Sequence, residues 1–341
     1  MQTKKLKYHH KIFFIVLIIF IFLVILSIWD FGDDKEIVWG ATFSKKQAEL
    51  LNLDWRLVYK KTLDEMNFKI LRIPFYWDEI ETQPNEYNFA DYVWMINQAA
   101  NKNIEIVPVI GRRVPRWPEC HTPKFYQDMP ENEIKEKIFA LLTQEIKFFK
   151  NYENIKKWQL ENEPFADFFG QCPIANKKIF QEEIDYVKML DTSRQILVTE
   201  SGELSSWKNG ARLGDILGIS MYRQTWNKKW GWFNYPLAPA YYHFKAQLVK
   251  LLTGNKEIIN TELQVEPWAF ENDLSTMDIF DQFYSMDLNQ VKENIRFAKR
   301  AGFQENYLWG IEWWWWLGQK HGNWEFWEFG KTLIHTNKNT D

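Results

Sequence analysis

Eight short apolar runs, alternating with stretches of helical periodicity, constrain this chain more than any other feature. They are Ile37–Phe43, Lys69–Pro74, Ile104–Ile110, Ile155–Leu160, Gln195–Thr199, Asp215–Met221, Glu257–Leu263 and Asn306–Trp313. Most carry Ile, Leu or Val at successive positions, as strands covered on both faces do. Helical patterns lie between them at 45–66, 90–102, 131–151, 175–190, 205–213, 238–252 and 289–301, the one at 205–213 being short and containing Gly210. The alternation predicts a parallel sheet with helices packed outside it. Eight regular steps close most economically into an α/β (β/α)8 TIM barrel; the open doubly wound alternative lacks its glycine-rich phosphate turn.

The chain has 341 residues, and about 300 remain after the first 35, enough for one such barrel with insertions. Residues 12–29, IFFIVLIIFIFLVILSIW, contain Ser27 as their one plainly polar residue. About 20 apolar residues span a bilayer, so the run reads as a transmembrane helix preceding the barrel. Lys4, Lys5, Lys7 and Lys11 precede it, and Asp30, Asp33 and Asp34 follow. The positive-inside rule then places residues 1–11 in the cytoplasm as a basic tail and the rest of the chain outside. Residues 30–35 read as a linker, and 36–341 as the barrel. A cleaved signal peptide is the competing reading, but Ser27-Ile28-Trp29-Asp30 is a poor cleavage site. Either reading puts the folded domain in an extracytoplasmic compartment.

The formal net charge of −3 gives no basic excess to attract nucleic acid. Aromatic residues make up 17% of the chain, with 19 Trp. An indole needs a partner for its N–H when buried, so some of these rings are expected to line a cleft, where they can stack on the flat C–H faces of sugars; the alternative is core packing. HExxH, P-loop, GxGxxG and CxxC patterns are absent, so neither a metal nor a cofactor is expected.

In such barrels chemistry gathers at the C-terminal ends of the strands. The fourth run leads into Glu161-Asn162-Glu163-Pro164, and the seventh contains Glu262. Carboxylates at these two ends can face each other across the mouth. Glycoside hydrolysis needs such a pair, one to protonate the leaving oxygen and one to attack the anomeric carbon or activate water. An arginine beside a carboxylate favours its ionised form, and a less polar niche keeps the other protonated. Spacing alone leaves Glu161, Glu266 and Glu312 as rivals.

These features resemble clan A glycoside hydrolases, closest to the family 5 cellulase-like enzymes. The resemblance rests on LRIPFYWDEIE at 71–81, ENEP at 161–164, NTEL at 260–263 and the Trp-rich eighth strand, and covers essentially the whole chain after residue 36. It implies a retaining mechanism by double displacement, with Glu163 as acid/base and Glu262 as nucleophile. It further implies substrate-binding or neighbouring roles for Asn162, Arg72, Tyr222 and Trp313, with any of Trp313 to Trp316 able to serve as the sugar platform. Trp77, after strand two, joins the substrate-binding candidates. The pattern departs where many family 5 members carry histidines after strands three and six. Here Gly111-Arg112-Arg113 and Ser220-Met221-Tyr222 stand instead. Arg112 or Arg113 either meets an acidic sugar or pairs with a loop carboxylate such as Glu119.

Cys120 and Cys172 fall in the loops after strands three and four, adjacent at the same mouth, so a disulfide is expected outside the cytoplasm. The partners expected are a poly- or oligosaccharide and, through residues 12–29, a membrane; the barrel is expected to be a monomer. A β-glucanase- or mannanase-like hydrolase, a cell-envelope transglycosylase and a non-catalytic sugar-binding barrel all remain open. A membrane scaffold without a sugar role leaves the Asn-Glu-Pro placement unexplained.

Overall fold

A computed structural model describes residues 36–254, 256–269 and 273–333, with residues 13–15, 17 and 29–32 ahead of them. Most of the expected membrane-spanning run lies outside the described residues. Among the described residues, no helix is long and apolar enough to cross a membrane.

Eight strands form a closed parallel barrel: β1 (Val38–Thr42), β2 (Ile70–Pro74), β3 (Glu105–Ile110), β4 (Lys157–Leu160), β5 (Gln195–Glu200), β6 (Ile216–Met221), β7 (Glu257–Gln264) and β8 (Glu305–Trp309). Closure is made by β1, whose Val38 to Thr42 pair with Glu305 to Trp309 of β8 while Gly40 to Thr42 pair with Ile70 to Arg72 of β2. The barrel expected from the alternation is present, and each strand overlaps its apolar run. The eighth differs. It ends at Trp309, and Gly310, with φ of 109°, turns the chain into a helix over Ile311–His321. The first helical pattern, 45–66, is also broken, into Lys45–Leu50 and Trp55–Glu65, and Asp54 caps the second piece through Arg56 N–H and Leu57 N–H.

Period-two alternation sorts the barrel interior into layers. Ile70, Val107, Leu197, Ile216, Ile259 and Tyr307 pack together as an apolar plug. Two residues further along β2, β5 and β8 stand Arg72, Thr199 and Trp309, so polar side chains enter the interior above the plug, toward the mouth. The helices outside bury one stripe each. Leu288–Ala301 is the plainest case: Val291, Ile295 and Ala298 are buried at helical spacing, Asp287 caps the start through Gln290 N–H, and Gly302 ends it at φ of 83°. Each large aliphatic residue of that stripe contributes about 1.5–3 kcal/mol by leaving water. Asn294 on the same face donates to the Gln264 carbonyl at 2.8 Å, fixing the helix to the end of β7. Packing thereby reaches the strand end where one expected catalytic residue lies.

Candidate active site

Strand β7 carries an irregularity where it matters. Against β6, Asn260 pairs with Ile219, but Glu262 pairs with Ser220, so Thr261 is an extra residue. A bulge of this kind re-aims the side chain that follows it, and Glu262 is turned into the mouth. Beneath it lies Arg72, fully buried. Its guanidinium donates from Nη1 to Glu262 Oε1 at 2.9 Å, from Nη2 to Asn162 Oδ1 at 2.7 Å and from Nε to Gln159 Oε1 at 2.7 Å. One side chain therefore ties the ends of β4 and β7 together through the barrel axis. Tyr222, just beyond β6, donates its phenol to Glu262 Oε2 at 3.0 Å. Burial raises the Tyr222 pKa well above the usual phenol value, which keeps it a donor.

Glu163 has a different setting. It follows β4 with φ of 42°, and Glu161 two residues earlier has φ of 55°. Left-handed backbone at non-glycine residues is costly and is found where a site over-determines it. The backbone N–H of Glu163 donates to Thr199 Oγ1 at 2.9 Å, and Ser220 Oγ donates to Glu163 Oε1 at 3.0 Å. Solvent reaches Glu163 through the cavity, but the surrounding protein desolvates it. Desolvation first, and the nearby Glu262 charge second, push its pKa up to about 8. A carboxyl that keeps its proton at neutral pH beside one that is hydrogen-bonded to an arginine is the division of labour glycoside cleavage needs.

Glu163, Glu262, Asn162 and Tyr222 all line one cavity of about 500 Å³, within the size range of small-ligand sites. Asn162 donates from Nδ2 to Glu119 Oε2 at 2.9 Å, so both ends of its amide are fixed. Arg72 does not reach the cavity; it acts from below as a positioning residue. The rival Glu161 is also removed. Its carboxylate accepts from the backbone N–H groups of Arg112 and Arg113, pinning the loop after β3.

Two expected substrate-binding residues are corrected. Trp313 is fully buried in the helix after β8, its indole donating to Gln282 Oε1 at 2.6 Å and its ring edge-on to Phe326 at 5.0 Å. Trp314, Trp315 and Trp316 share that helix, and none of the four lines the cavity. The strand-eight ring that does is Trp309, one residue before the turn at Gly310. Trp77 is likewise fully buried, donating to Glu81 Oε2 at 2.6 Å away from the cavity. Arg112 pairs with Glu131 at 2.8 Å. Arg113 donates to the carbonyls of Ala166 and Phe169 at 3.0 and 2.8 Å. Both arginines therefore serve loop structure.

The structure adds residues that sequence reasoning left out of the site. Glu119 and Glu203 line the cavity, and burial pushes each up to about 7. Glu203 accepts from the Tyr222 backbone N–H at 2.8 Å and so holds the backbone that carries the phenol. Trp226 and Tyr235 line it from the insertion after β6, an antiparallel hairpin of Gln224–Asn227 and Gly231–Asn234. Trp117, Phe169 and Trp268 form a row of rings at 5.9 and 6.0 Å. Cys120 and Cys172, each three residues beyond the first two of these rings, are joined by a disulfide.

No protein-family model matches the chain, and no curated protein matches it. Solved structures do match. The barrel is one that glycoside hydrolases use. A subfamily 18 member of glycoside hydrolase family 5 from Bifidobacterium longum superposes with a TM-score of 0.58 at 13% identity, over 80% of this chain and 69% of that one. The corresponding enzyme from Streptomyces cattleya, solved with GlcNAc, gives 0.55 at 10% identity, over 81% and 71%. An exo-β-1,4-mannosidase from an Opitutaceae bacterium gives 0.54 at 14% identity, over 82% and 53%. At these identities the likeness is one of fold, and the chemistry has to be argued from the residues above.

Proposed function

We propose that this protein is a retaining glycosidase that cleaves β-glycosidic bonds in oligo- or polysaccharides, with Glu163 as acid/base and Glu262 as nucleophile. The observation that carries the reading is the unlike setting of two carboxyls on one cavity. Glu262 receives Arg72 and Tyr222, whereas Glu163 is raised to about 8 and receives only a serine hydroxyl on its side chain. In the first step Glu262 attacks the anomeric carbon while the Glu163 proton passes to the leaving oxygen, giving a covalent glycosyl-enzyme. In the second, Glu163 as carboxylate takes a proton from water, whose oxygen displaces Glu262. Transfer to a sugar hydroxyl in place of water is the same chemistry with another acceptor. Asn162, immediately before Glu163 and held by the same guanidinium as Glu262, is placed to meet the hydroxyl beside the reacting carbon.

The test is hydrolysis of 4-nitrophenyl β-glucoside, β-mannoside and β-N-acetylglucosaminide, and of cello- and manno-oligosaccharides, by the full chain. Activity with retained anomeric configuration is expected, lost in Glu262→Gln. In Glu163→Ala, azide should restore turnover of the aryl glycosides by forming a β-glycosyl azide. Inverted product, or full activity in Glu262→Gln, would remove the mechanism.

The reading places the barrel outside the cytoplasmic membrane, anchored by residues 12–29. Their apolar character, broken only by Ser27, and the disulfide between the mouth loops support it. Release of the protein from cell membranes by alkaline carbonate would count against the anchor.

A further inference from the structure

Resting on that reading, the two ends of the cavity can be told apart. The Glu163 carboxyl is turned toward β6, where Ser220 donates to it. The leaving group it protonates therefore lies on that side, toward Trp226, Tyr235 and Leu204 of the loops after β5 and β6. The sugar attacked by Glu262 extends the other way, toward Gln47, Trp309 and Glu266.

That other end is crossed by a charged bar. Arg116, on the loop after β3, reaches across the mouth to the opposite side of the ring. It forms ion pairs with Glu266 beyond β7 and with Glu312 beyond β8, and its guanidinium carbon lies 4.1 Å from the centre of the Trp309 ring. The bar is latched from below. Ser44 after β1 donates its backbone N–H to Glu312, its hydroxyl meets Tyr76 OH at 2.6 Å, and Tyr76 OH donates to the Pro115 carbonyl at 3.1 Å. Loops of five strands thus converge on one arginine. Gly310, whose φ is 109°, lets Glu266 lie against the chain, since a Cβ there would fall 2.2 Å from that of Glu266.

The bar is also incompletely satisfied. Arg116 and Glu266 are 9% and 5% exposed, both line the cavity, and Arg116 Nε and Glu266 Oε2 have no hydrogen-bond partner. Buried polar atoms are normally paired, so two such atoms on side chains that line the cavity mark a ligand contact. We infer that Arg116 and Glu266 bind the free hydroxyls of a non-reducing terminal sugar, so that the enzyme removes one residue at a time from chain ends. An internal unit has one of those hydroxyls replaced by the next sugar, for which the bar leaves no passage.

The experiment uses cello- and mannohexaose, each with its non-reducing unit either free or capped as a 4,6-O-benzylidene acetal. Wild type should release monosaccharide as the first product and act on the capped chains at least about 100-fold more slowly, as sites built around a substrate hydroxyl do. Binding of the same four sugars to Glu163→Gln should show the same preference. In Arg116→Ala, and in the same-shaped Glu266→Gln, the preference for free ends should shrink by about tenfold or more. First products of two or more units, or equal handling of free and capped chains, would overturn the inference and leave the glycosidase reading intact. Free-end preference in binding with no hydrolysis of any substrate would overturn that reading, and with it the stepwise removal, and leave the recognition of free ends by Arg116 and Glu266. No binding of any of the four would overturn the inference.

Discussion

The surroundings of Glu262 and of Glu163 are built on opposite plans. Glu262 is held from beneath by a buried guanidinium that also grips Asn162 and Gln159, with Tyr222 closing the other oxygen. Every contact comes from a strand or its immediate end. Glu163 stands on strained backbone and accepts one side-chain hydrogen bond, and the loop that follows it is secured from outside, by Cys172 to Cys120 and by Arg113. The position of Glu262 is thus a property of the barrel, whereas that of Glu163 is shared between β5 and β6, through Thr199 and Ser220, and the loop that carries it. Chemistry explains the difference. A nucleophile needs fixed geometry and compensated charge, whereas an acid/base must change charge within each turnover and so cannot be locked into either state.

If the first half of that contrast is right, Arg72 is the most damaging single change. Arg72→Met leaves Glu262 buried without its cation and Asn162 and Gln159 without their donor. Removing one partner of a buried pair costs about 3–5 kcal/mol. Chemical denaturation should show a loss of that size, and kcat should fall at least about 100-fold as the nucleophile loses its alignment. Adding Glu262→Gln to Arg72→Met should recover part of the lost stability, because the stranded charge is gone. A stable, active Arg72→Met would mean that the barrel does not hold the nucleophile in this way.

The loop-based half predicts a smaller effect of another kind. Replacing Cys120 and Cys172 by serine removes a cross-link between positions 52 residues apart, with an expected cost of about 2–4 kcal/mol. Trp117 and Phe169 should then hold their row less well, so KM for oligosaccharides should rise while kcat on aryl glycosides stays near wild type. Equal loss on both substrates would place the cross-link's effect on Glu163 itself.

The same division decides what was legible in the sequence. Strand runs, the Asn-Glu-Pro after β4 and Glu262 within β7 are local patterns, and each appears in the structure at the barrel position its run implied. The end of β8 was not legible. From Tyr307 to Trp316 only Gly310 and Glu312 break the apolar character, and a run so nearly continuous does not distinguish strand from helix. Gly310 was the one signal for the break, and reading it would have moved the cavity-lining ring from Trp313 to Trp309. Arg116 was illegible for another reason. Its place is set by Glu266, Glu312, Ser44 and Tyr76, which come from four other loops, and no local pattern encodes their meeting. Trp77 resembled a site residue by position, but a glutamate four residues on, Glu81, receives its indole and draws it into the core.

The finest test of the contrast is the pH dependence of Glu163. It must carry a proton to act as acid, so kcat/KM should fall as pH rises through a limb near the value of about 8. Two neighbours pull that limb in opposite directions. Ser220 donates to the carboxylate and so favours the charged form, while the nearby Glu203 charge disfavours it. Ser220→Ala should therefore move the limb to higher pH and Glu203→Gln should move it to lower pH, each by less than about one unit, as expected for the loss of a single modest interaction. Had Glu163 been gripped as Glu262 is, neither change could move it far. Opposite shifts measured on an aryl glycoside would show an acid tuned by a few weak, separable contacts. Two unmoved limbs would mean that burial alone sets its proton, and that the loops around it contribute position without charge.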